Sequence, residues 1–535
     1  MSNKVYHNIK PDTDFSDVDH VVVGSGIGGL TVASWLAQAG KNVVVLERHF
    51  KPGGFTHSFK REKGFEWDVG VHYIGNVGEG ESLNKLFGHL TNYKLKWHSL
   101  GYTYDVVHIG KDVYELKAGE AALKNQLVSY FPGEEKAITA YLKLINKANK
   151  MGRLFFLEKT FEPILSKTLG WVIKKFYNRY SQKTTFEVLN SLTKNKRLIA
   201  VLSAQCGNYG LSPKYSSFAA HAIVVGHFMN GGYYPEGGST EMNNFVINNF
   251  VENGGRLFIN ATVDEIVVDK NKVQGVRLGD QFISCKSVIS NAGVRNTFKY
   301  LISNDLQSRY NYTFKGVKPS GSCLCLYVGL DQSVGQLKLP KHNIWSFANE
   351  NLDLTYDNAS LSMASEEFAY ITFPSSKDNK WDTDHPGTST IQAISMAHYD
   401  WFESYAHKPW LKRGKAYEQL KLEFENAMIQ KLERLFPQIK GHIVVTNVST
   451  PLSVQHFSNY ENGEIYGLEH SPRRFSLPFL RPQTKIRGLR LVGQDITLVG
   501  VAGAMLSGIL CAVTILKFGV WKIFKKVAKG EEVVA

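Results

Sequence analysis

Cysteine is scarce in this sequence, and paired metal ligands are missing from it. The 535 residues include five cysteines, an odd number with no CxxC pair. That pattern excludes a disulfide framework and indicates free thiols in a reducing compartment. None of the 17 histidines stands in an HxxxH spacing, so the sequence predicts no metal site.

We expect no secretory signal and find no low-complexity tract in this sequence. Its first twenty residues contain four aspartates and no apolar core of the kind that a secretory signal needs. There is no internal repeat and no aromatic–basic pattern typical of RNA binding. We therefore expect a cytoplasmic globular protein without a nucleic-acid partner, long enough for two domains. The net charge of +14 indicates either a solvated basic surface or one that attracts anionic lipid, and both interpretations stay open.

A glycine-rich turn follows the first apolar run of the chain. The run at 20–23 leads into a G-x-G-x-x-G turn, then a helical pattern at 30–39 and a second apolar run at 42–46. In such a βαβ unit the backbone approaches a pyrophosphate, and the helix N-terminus attracts its charge. Glu47 ends the second run, where a carboxylate can accept ribose hydroxyls. The pattern predicts a dinucleotide site with the turn residues Gly24, Gly26, Ile27, Gly28 and Gly29.

The residues after Glu47 resemble a known group of flavoproteins. A second glycine pair, Gly53 and Gly54, is followed by GFEWDVGVHY at 64–73. Further motifs are GLSP at 210–213, MNGGYYPEGGS at 229–239, FPSSKD at 373–378 and GQDI at 493–496. Together they resemble the superfamily of amine oxidases, phytoene desaturases and carotenoid isomerases, and most of all its retinol saturase branch. Phe55 stands where many relatives carry Arg, and this replacement favours the retinol saturase branch.

This resemblance implies an FAD-dependent oxidoreductase with a discontinuous Rossmann-like α/β domain and an inserted α+β substrate domain. Beyond the turn and Glu47, the implied FAD contacts are Arg48, Gly53, Gly54, Phe55, Thr56, Val263, Gly493, Asp495, Val501 and Ala502. Val263 would meet the adenine and Asp495 a ribityl hydroxyl, while the backbone at 501–502 would approach the flavin pyrimidine. The electron carrier stays open between NAD(P)H, a quinone and another carrier.

Changes of pattern along the chain suggest the domain boundaries. We assign residues 1–82, 236–300 and 451–516 to the FAD domain. Residues 83–235 are rich in lysine and mostly helical, and we expect them to form an insertion that faces substrate or membrane. Residues 301–450 supply the sheet and helices of the substrate domain, and residues 517–535 form a basic amphipathic tail.

Apolar segments near the C-terminus and in the insertion permit a membrane interpretation. Residues 496–516 carry no charge and could span a bilayer, but they follow the GQD loop, which favours a helix buried against the sheet. In the tail, Val520, Ile523, Phe524 and Val527 share one helical face, a pattern typical of helices lying on anionic lipid. Residues 164–180 have a similar pattern. We predict peripheral attachment to the inner face of a membrane, with packing of both segments on the protein body as the alternative.

Reduction of a polyene by a flavin needs an apolar tunnel and at most one proton donor. The candidate donors are His72, Tyr73, Tyr234 and Glu236, although each could instead only shape the site. Three functions are considered: saturation of a double bond in a retinoid-like or other isoprenoid lipid, carotenoid desaturation or cis–trans isomerisation, and non-catalytic escort of a prenyl lipid. The complete set of cofactor motifs argues against the escort function. The oligomeric state stays open.

Overall fold

The computed structural model describes residues 5–310, 314, 316–353 and 360–530. A six-stranded parallel sheet is one of its two large sheets. Its central strands are valine-rich and buried, as expected for parallel strands covered on both faces. They come from three distant parts of the chain, which confirms the discontinuous Rossmann-like fold. In spatial order the strands are His7–Asn8, Arg256–Ile259, Val43–Leu46, His20–Val23, Ser287–Ser290 and Leu489–Leu491.

Helix Ile27–Gln38 follows the glycine turn and packs against helix Gly500–Leu516. The two backbones approach closely, because a Cβ on Gly508 would lie 2.5 Å from the carbonyl oxygen of Gly28. In the described part of the chain, Gly500–Lys529 is long and apolar enough to cross a membrane, judged by length and composition alone. Core helices pass the same test, and this helix packs on the sheet domain through one face, with Met505, Ile509, Cys511 and Ala512 buried.

The other large sheet is mixed and has seven strands. Its neighbours are antiparallel except for Asn343–Phe347 and Thr103–Ile109, which run parallel. Helix Lys415–Leu435 covers one face with Phe424, Met428 and Leu432. In spatial order the strands are Ile443–Ser449, Ser322–Leu330, Ser389–Ala397, Phe368–Thr372, Asn343–Phe347, Thr103–Ile109 and Asp112–Lys117.

Residues 83–235 are largely helical but also give two strands to the seven-stranded sheet. Thr103–Ile109 is buried on both faces over its middle, so it lacks the two-residue alternation that reveals a strand in sequence. The helices of this segment are Ser82–Leu90, Glu120–Tyr130, Glu135–Glu158, Pro163–Lys167, Leu169–Ser181, Thr185–Leu192, Lys196–Ser203 and Phe218–His227.

Smaller elements complete the described chain. Three short sheets contain the strands Glu265–Asp269, Lys272–Leu278 and Gln281–Ser284, then Ser58–Lys60 and Glu66–Asp68, then Trp97–Ser99 and Tyr233–Pro235. The remaining α-helices are Gly238–Glu252, Val294–Asn296, Asn304–Tyr310, Val334–Leu337, Ala364–Glu367, Pro374–Lys377, Trp381–Asp384, Pro451–Ser458 and Val520–Lys529.

The apolar face of the tail helix points into the protein, which corrects the interpretation of that face as a lipid contact. Val520, Ile523 and Val527 are buried in the core of the sheet domain, and the ring of Phe524 meets Trp35 edge to face. The physical reason is that the helix Ser82–Leu90 and the glycine-turn helix leave an apolar surface that this face covers. The exposed aromatic residues of the tail are Phe518 and Trp521.

Candidate active site

A cavity of about 360 Å³ begins at the glycine turn and continues to the seven-stranded sheet. All the predicted FAD contacts line it except Gly29 and Ala502. Gly29 instead packs beneath the turn, against the carbonyl oxygen of Gly24 and the side chain of Val22. The structure therefore brings together residues that lie more than 400 positions apart in sequence, from Gly24 to Val501.

Glu47 is fixed at the end of its strand by hydrogen bonds to the glycine turn. Its Oε2 accepts from the backbone N–H of Ser25 at 2.8 Å and from the Ser25 hydroxyl at 2.6 Å. Its Oε1 accepts from the backbone N–H of His49 at 2.8 Å. The carboxylate is thus held at the cavity wall, where the predicted ribose contact requires it.

The second glycine pair touches the first turn through bare backbone. A Cβ on Gly54 would lie 3.1 Å from the Cα of Gly26. Gly53 has a φ of 118° and faces Asn243, whose Nδ2 would clash with any Cβ added there. These close approaches leave backbone along the groove where a dinucleotide lies, so the residues present fit FAD.

Asn291 is a site residue that the sequence analysis did not single out. Its Nδ2 donates to the carbonyl oxygens of Gly24 and Gly26 at 3.3 and 3.4 Å, and its side chain lines the cavity. The sequence signal that could have revealed Asn291 is the apolar run at 287–290, which Asn-Ala-Gly follows. The ends of such strands meet at the ligand-binding edge of a parallel sheet.

Asp495 lines the cavity but both of its oxygens already have backbone partners. Oδ1 accepts from the N–H of Leu468 at 2.8 Å, and Oδ2 from the N–H of Val294 at 2.9 Å. The buried Arg474 lies 3.9 Å from Oδ1 and donates to the carbonyl oxygens of Gln494 and Asp495. Asp495 therefore holds three chain segments together, in addition to the predicted contact with a ribityl hydroxyl.

The part of the cavity that borders the seven-stranded sheet is aromatic and apolar. Among the lining residues that the structure describes, the charged side chains are Glu47, Arg48 and Asp495, all on the dinucleotide side. The sheet side is lined by Cys323, Cys325, Trp345, Phe368, Tyr370, Ile394, Met396 and Tyr466. Burial raises the pKa of the Cys323 thiol to about 12, so this group stays uncharged. The arrangement suits an uncharged, elongated ligand.

Of the four candidate proton donors, His72 alone lines the cavity. Burial lowers the pKa of His72 to about 3, and its buried Nδ1 has no hydrogen-bond partner. Tyr73 and Tyr234 are buried outside it, with their hydroxyls bonded to Asp105 and Asp68. Glu236 pairs with His98 at 2.8 Å, away from the cavity.

Three of the sequence motifs meet beside the cavity in a buried polar junction. Asp68 accepts hydrogen bonds from the Tyr234 hydroxyl and from the backbone and side chain of Ser239. Asp378 accepts from the backbone N–H of Gly237 at 3.0 Å. Because these residues come from 64–73, 229–239 and 373–378, the junction joins the dinucleotide side to the substrate side.

Lys377 is the buried cation of this junction. Its Nζ donates to the carbonyl oxygen of His72 at 2.9 Å, to the Thr372 hydroxyl at 2.5 Å and to Asn343 Oδ1. Burial lowers the pKa of Lys377 to about 7, and the nearby carboxylates of Asp105 and Asp68 oppose that shift. Lys377 therefore fixes the backbone of the one candidate donor that reaches the cavity.

Comparisons with known proteins agree with this geometry. A family model described as flavin containing amine oxidoreductase matches residues 27–516. An all-trans-retinol 13,14-reductase of Danio rerio is 36% identical over 94% of this chain and 86% of its own length. A prolycopene isomerase of an Oncidium hybrid cultivar is 27% identical over 93% of this chain and 83% of its own.

Solved structures share the fold at low sequence identity. The cyclohexylamine oxidase of Brevibacterium oxydans IH-35A matches with a TM-score of 0.60 and 13% identity, over 94% of this chain and all of that one. The resemblance to the retinol saturase branch is thus confirmed, as is FAD as the cofactor. The chain belongs to the flavin containing amine oxidoreductase family and is an FAD-dependent oxidoreductase.

Proposed function

We propose that this protein reduces a carbon–carbon double bond in a long, apolar polyene of the retinoid or isoprenoid class. The observation that carries the proposal is the aromatic, uncharged sheet side of the cavity, which opens directly onto the dinucleotide groove. The relative named all-trans-retinol 13,14-reductase supports this substrate class. When bound, FAD supplies hydride exchange at its N5 atom.

The chain's own residues bind the substrate and control the position of His72, whose backbone Lys377 holds. Because burial holds the pKa of His72 near 3, its imidazole is neutral at pH 7. Almost no imidazolium is then present to donate a proton. We therefore assign His72 a positioning contact with the substrate, and the proton that completes the reduction comes from water. Turnover of the reduced enzyme should then show no pH dependence attributable to His72 between about pH 5 and 8.

The test uses the purified protein with FAD, reduced and kept anaerobic. We expect all-trans-retinol or a carotenoid to reoxidise the flavin and gain two hydrogens, measured by absorbance and mass spectrometry. The variant Ile394→Trp should retain FAD but lose polyene turnover, because it fills the sheet side of the cavity. Flavin binding without reoxidation by any polyene would contradict the proposal.

A second candidate is isomerisation or desaturation of a carotenoid, which the prolycopene isomerase relative favours. The same cavity would accept that substrate, since its lining selects for length and apolarity rather than for a functional group. The product distinguishes the two: an isomer of unchanged mass indicates isomerisation, and a gain of two hydrogens indicates reduction. A chain that fails to bind FAD would instead favour the lipid escort function.

We also propose that the protein attaches peripherally to an anionic membrane, by a surface that we call the docking face. It consists of the exposed apolar residues of 164–176 together with Phe518 and Trp521. Ile164, Trp171 and Phe518 are 81, 59 and 88% exposed. Lys517 lies 3.9 Å from Glu162, which brings the tail beside this segment. Lysines border the apolar residues, the composition of helices that bind anionic lipid.

A further inference from the structure

A second cavity of about 660 Å³ lies beside the active-site cavity. Its walls come from selected residues within 47–61 on the dinucleotide side and within 410–421 and 447–458 on the substrate side. Residues Glu47, Gly54, Phe55 and Tyr327 line both cavities. A ligand in the second cavity would therefore border the FAD groove.

The charge of the second cavity favours an anion. Its cationic lining residues are Lys51, Lys60, Arg61, Arg413 and Lys421, against the two acids Glu47 and Glu418. Glu47 is engaged by the glycine turn, and Glu418 pairs with Lys421 at 3.0 Å. Lys60 pairs with Glu66 at 3.3 Å, so the lining keeps more cations than acids even after these pairs are counted. The surplus of positive charge in a concave surface concentrates anions there.

Arg413 is buried in this wall with unused hydrogen-bonding capacity. Its side chain is 6% exposed, and its guanidinium lies 5.2 Å from the centre of the Tyr417 ring. Nη2 donates to the carbonyl oxygen of Leu452 at 3.1 Å, but the buried Nε has no partner. A buried guanidinium with an unmatched donor is expected to acquire an acceptor, and phosphate is the acceptor whose geometry it matches best.

Aromatic rings line the same cavity. Trp410 stacks on His456 at a centroid distance of 5.2 Å and an angle of 16°. Phe50 is 59% exposed and stacks on His49 at 4.2 Å. Such rings provide a surface for a planar heterocycle, because any nucleic-acid base can stack on an aromatic side chain. Phosphate-binding cations and stacking rings are therefore combined in one site.

We propose that the second cavity binds a phosphate-bearing nucleotide, with its phosphates at Arg413 and Lys421 and its base at Trp410 and Phe50. The class includes the nicotinamide dinucleotides, whose reduced forms donate two electrons. A reduced nicotinamide dinucleotide would supply one hydride to the bound flavin where its second base reaches the shared wall at Gly54 and Phe55, and it would leave oxidised. The inference rests on the flavoprotein assignment and not on the polyene substrate.

The test is equilibrium binding to the full-length protein loaded with FAD. NADPH and ADP are titrated, and binding is followed by calorimetry and by quenching of tryptophan fluorescence. We expect saturable binding of both, with Lys421→Gln and Trp410→Leu weakening it at least tenfold and leaving FAD content unchanged. Lys412→Gln is the control, since this neighbouring lysine does not line the second cavity. Higher salt should weaken binding to the wild type.

Absence of saturable nucleotide binding to the FAD-loaded protein would overturn the proposal. So would equal affinity of Lys421→Gln, Trp410→Leu and the wild type for NADPH. If palmitate binds and responds to these substitutions while nucleotides do not, the cavity is a lipid site instead. Polyene turnover by chemically reduced enzyme does not use the second cavity, so failure of this inference is distinguishable from failure of the proposed function.

Discussion

At the scale of single residues, the active site depends on groups whose environment overrides their ordinary chemistry. Lys377 is a cation with three neutral acceptors and 1% exposure, and Asp68 and Asp105 are carboxyls whose burial raises their pKa to about 6. Each such group is costly to bury, so its retention indicates that position matters more than stability. The resulting effects are measurable.

The stability of the protein should depend on pH through Lys377. Its pKa is about 7 in the folded chain against an ordinary 10.5, so the unfolded state binds more protons between these values. Below about pH 7 both states are protonated and the full penalty of burial applies. Stability therefore rises with pH from 7 to about 10, by at most about 1.36 kcal/mol per pH unit.

Lys377→Met removes this titration. Between pH 7 and 10, the unfolding free energy of the wild type should rise by a few kcal/mol relative to that of the variant. Denaturant unfolding at several pH values measures the shift. Lys380→Met, at an exposed position nearby, should show none. Identical pH trends for both variants would refute this role of Lys377.

Gly53→Ala should lower the retention of FAD. The added Cβ clashes with Asn243 and the residue has a φ of 118°, so strain and overpacking of about 1–3 kcal/mol fall directly on the groove. Gly40→Ala is the control, because Gly40 also has a positive φ, 72°, but open space around it. Flavin absorbance of the purified proteins is the measurement. Equal flavin content in both variants would show that this contact is dispensable.

At the scale of elements, the sequence analysis found the pieces that local chemistry specifies. The strand–turn–helix at 20–38 could be predicted because its periodicity and glycine pattern are local. Strand Thr103–Ile109 was missed, since a strand buried on both faces has no alternation. Whether the apolar face of the tail contacts the protein core or lipid could not be predicted, because the same spacing of apolar residues suits both.

The same distinction holds within the site. Most of the residues predicted to contact FAD do line the cavity, since the family motifs place them there, whereas Asn291 and Lys377 act through distant partners. Tyr73 and Tyr234 flank the glycine motifs as His72 and Glu236 do, yet their hydroxyls face carboxylates outside the cavity. Which side of a buried junction a side chain faces depends on tertiary packing, which short motifs do not encode.

The contact between helices Ile27–Gln38 and Gly500–Leu516 should not tolerate a side chain. Gly508→Ala places a Cβ 2.5 Å from the carbonyl oxygen of Gly28, so the helices must separate. We expect a loss of about 1–3 kcal/mol in stability and weaker FAD binding, measured by thermal unfolding and flavin release. Gly519→Ala, whose Cβ would meet Leu516 at an ordinary 3.9 Å, should be neutral. Equal effects would mean that this packing is not tight.

At the scale of the whole molecule, the docking face and the active site are separate surfaces of one flavoprotein. The exposed residues of 164–176 line neither the active-site cavity nor the second cavity. Substitutions in the proposed docking face should therefore leave the chemistry unchanged, and substitutions in the active site should leave vesicle binding unchanged.

The double variant Trp171→Ser with Phe518→Ser should bind anionic vesicles more weakly than the wild type. Vesicles of phosphatidylserine and phosphatidylcholine are sedimented with the protein, and both residues are more than half exposed. Each contributes roughly 1.5–3 kcal/mol when buried in lipid, so the loss exceeds tenfold. Phe282→Ser, an aromatic residue 45% exposed elsewhere, is the control. Unchanged sedimentation of the double variant would exclude this face.

The order of synthesis matters for a sheet that takes its last strand from Leu489–Leu491. A ribosome adds about 5–20 residues per second, so the glycine turn is made roughly half a minute or more before that strand emerges. Until then Ser287–Ser290 has an open edge, and the groove lacks the helix that closes it. Flavin loading must therefore wait until helix Gly500–Leu516 has been made, and the edge of Ser287–Ser290 can pair wrongly until then.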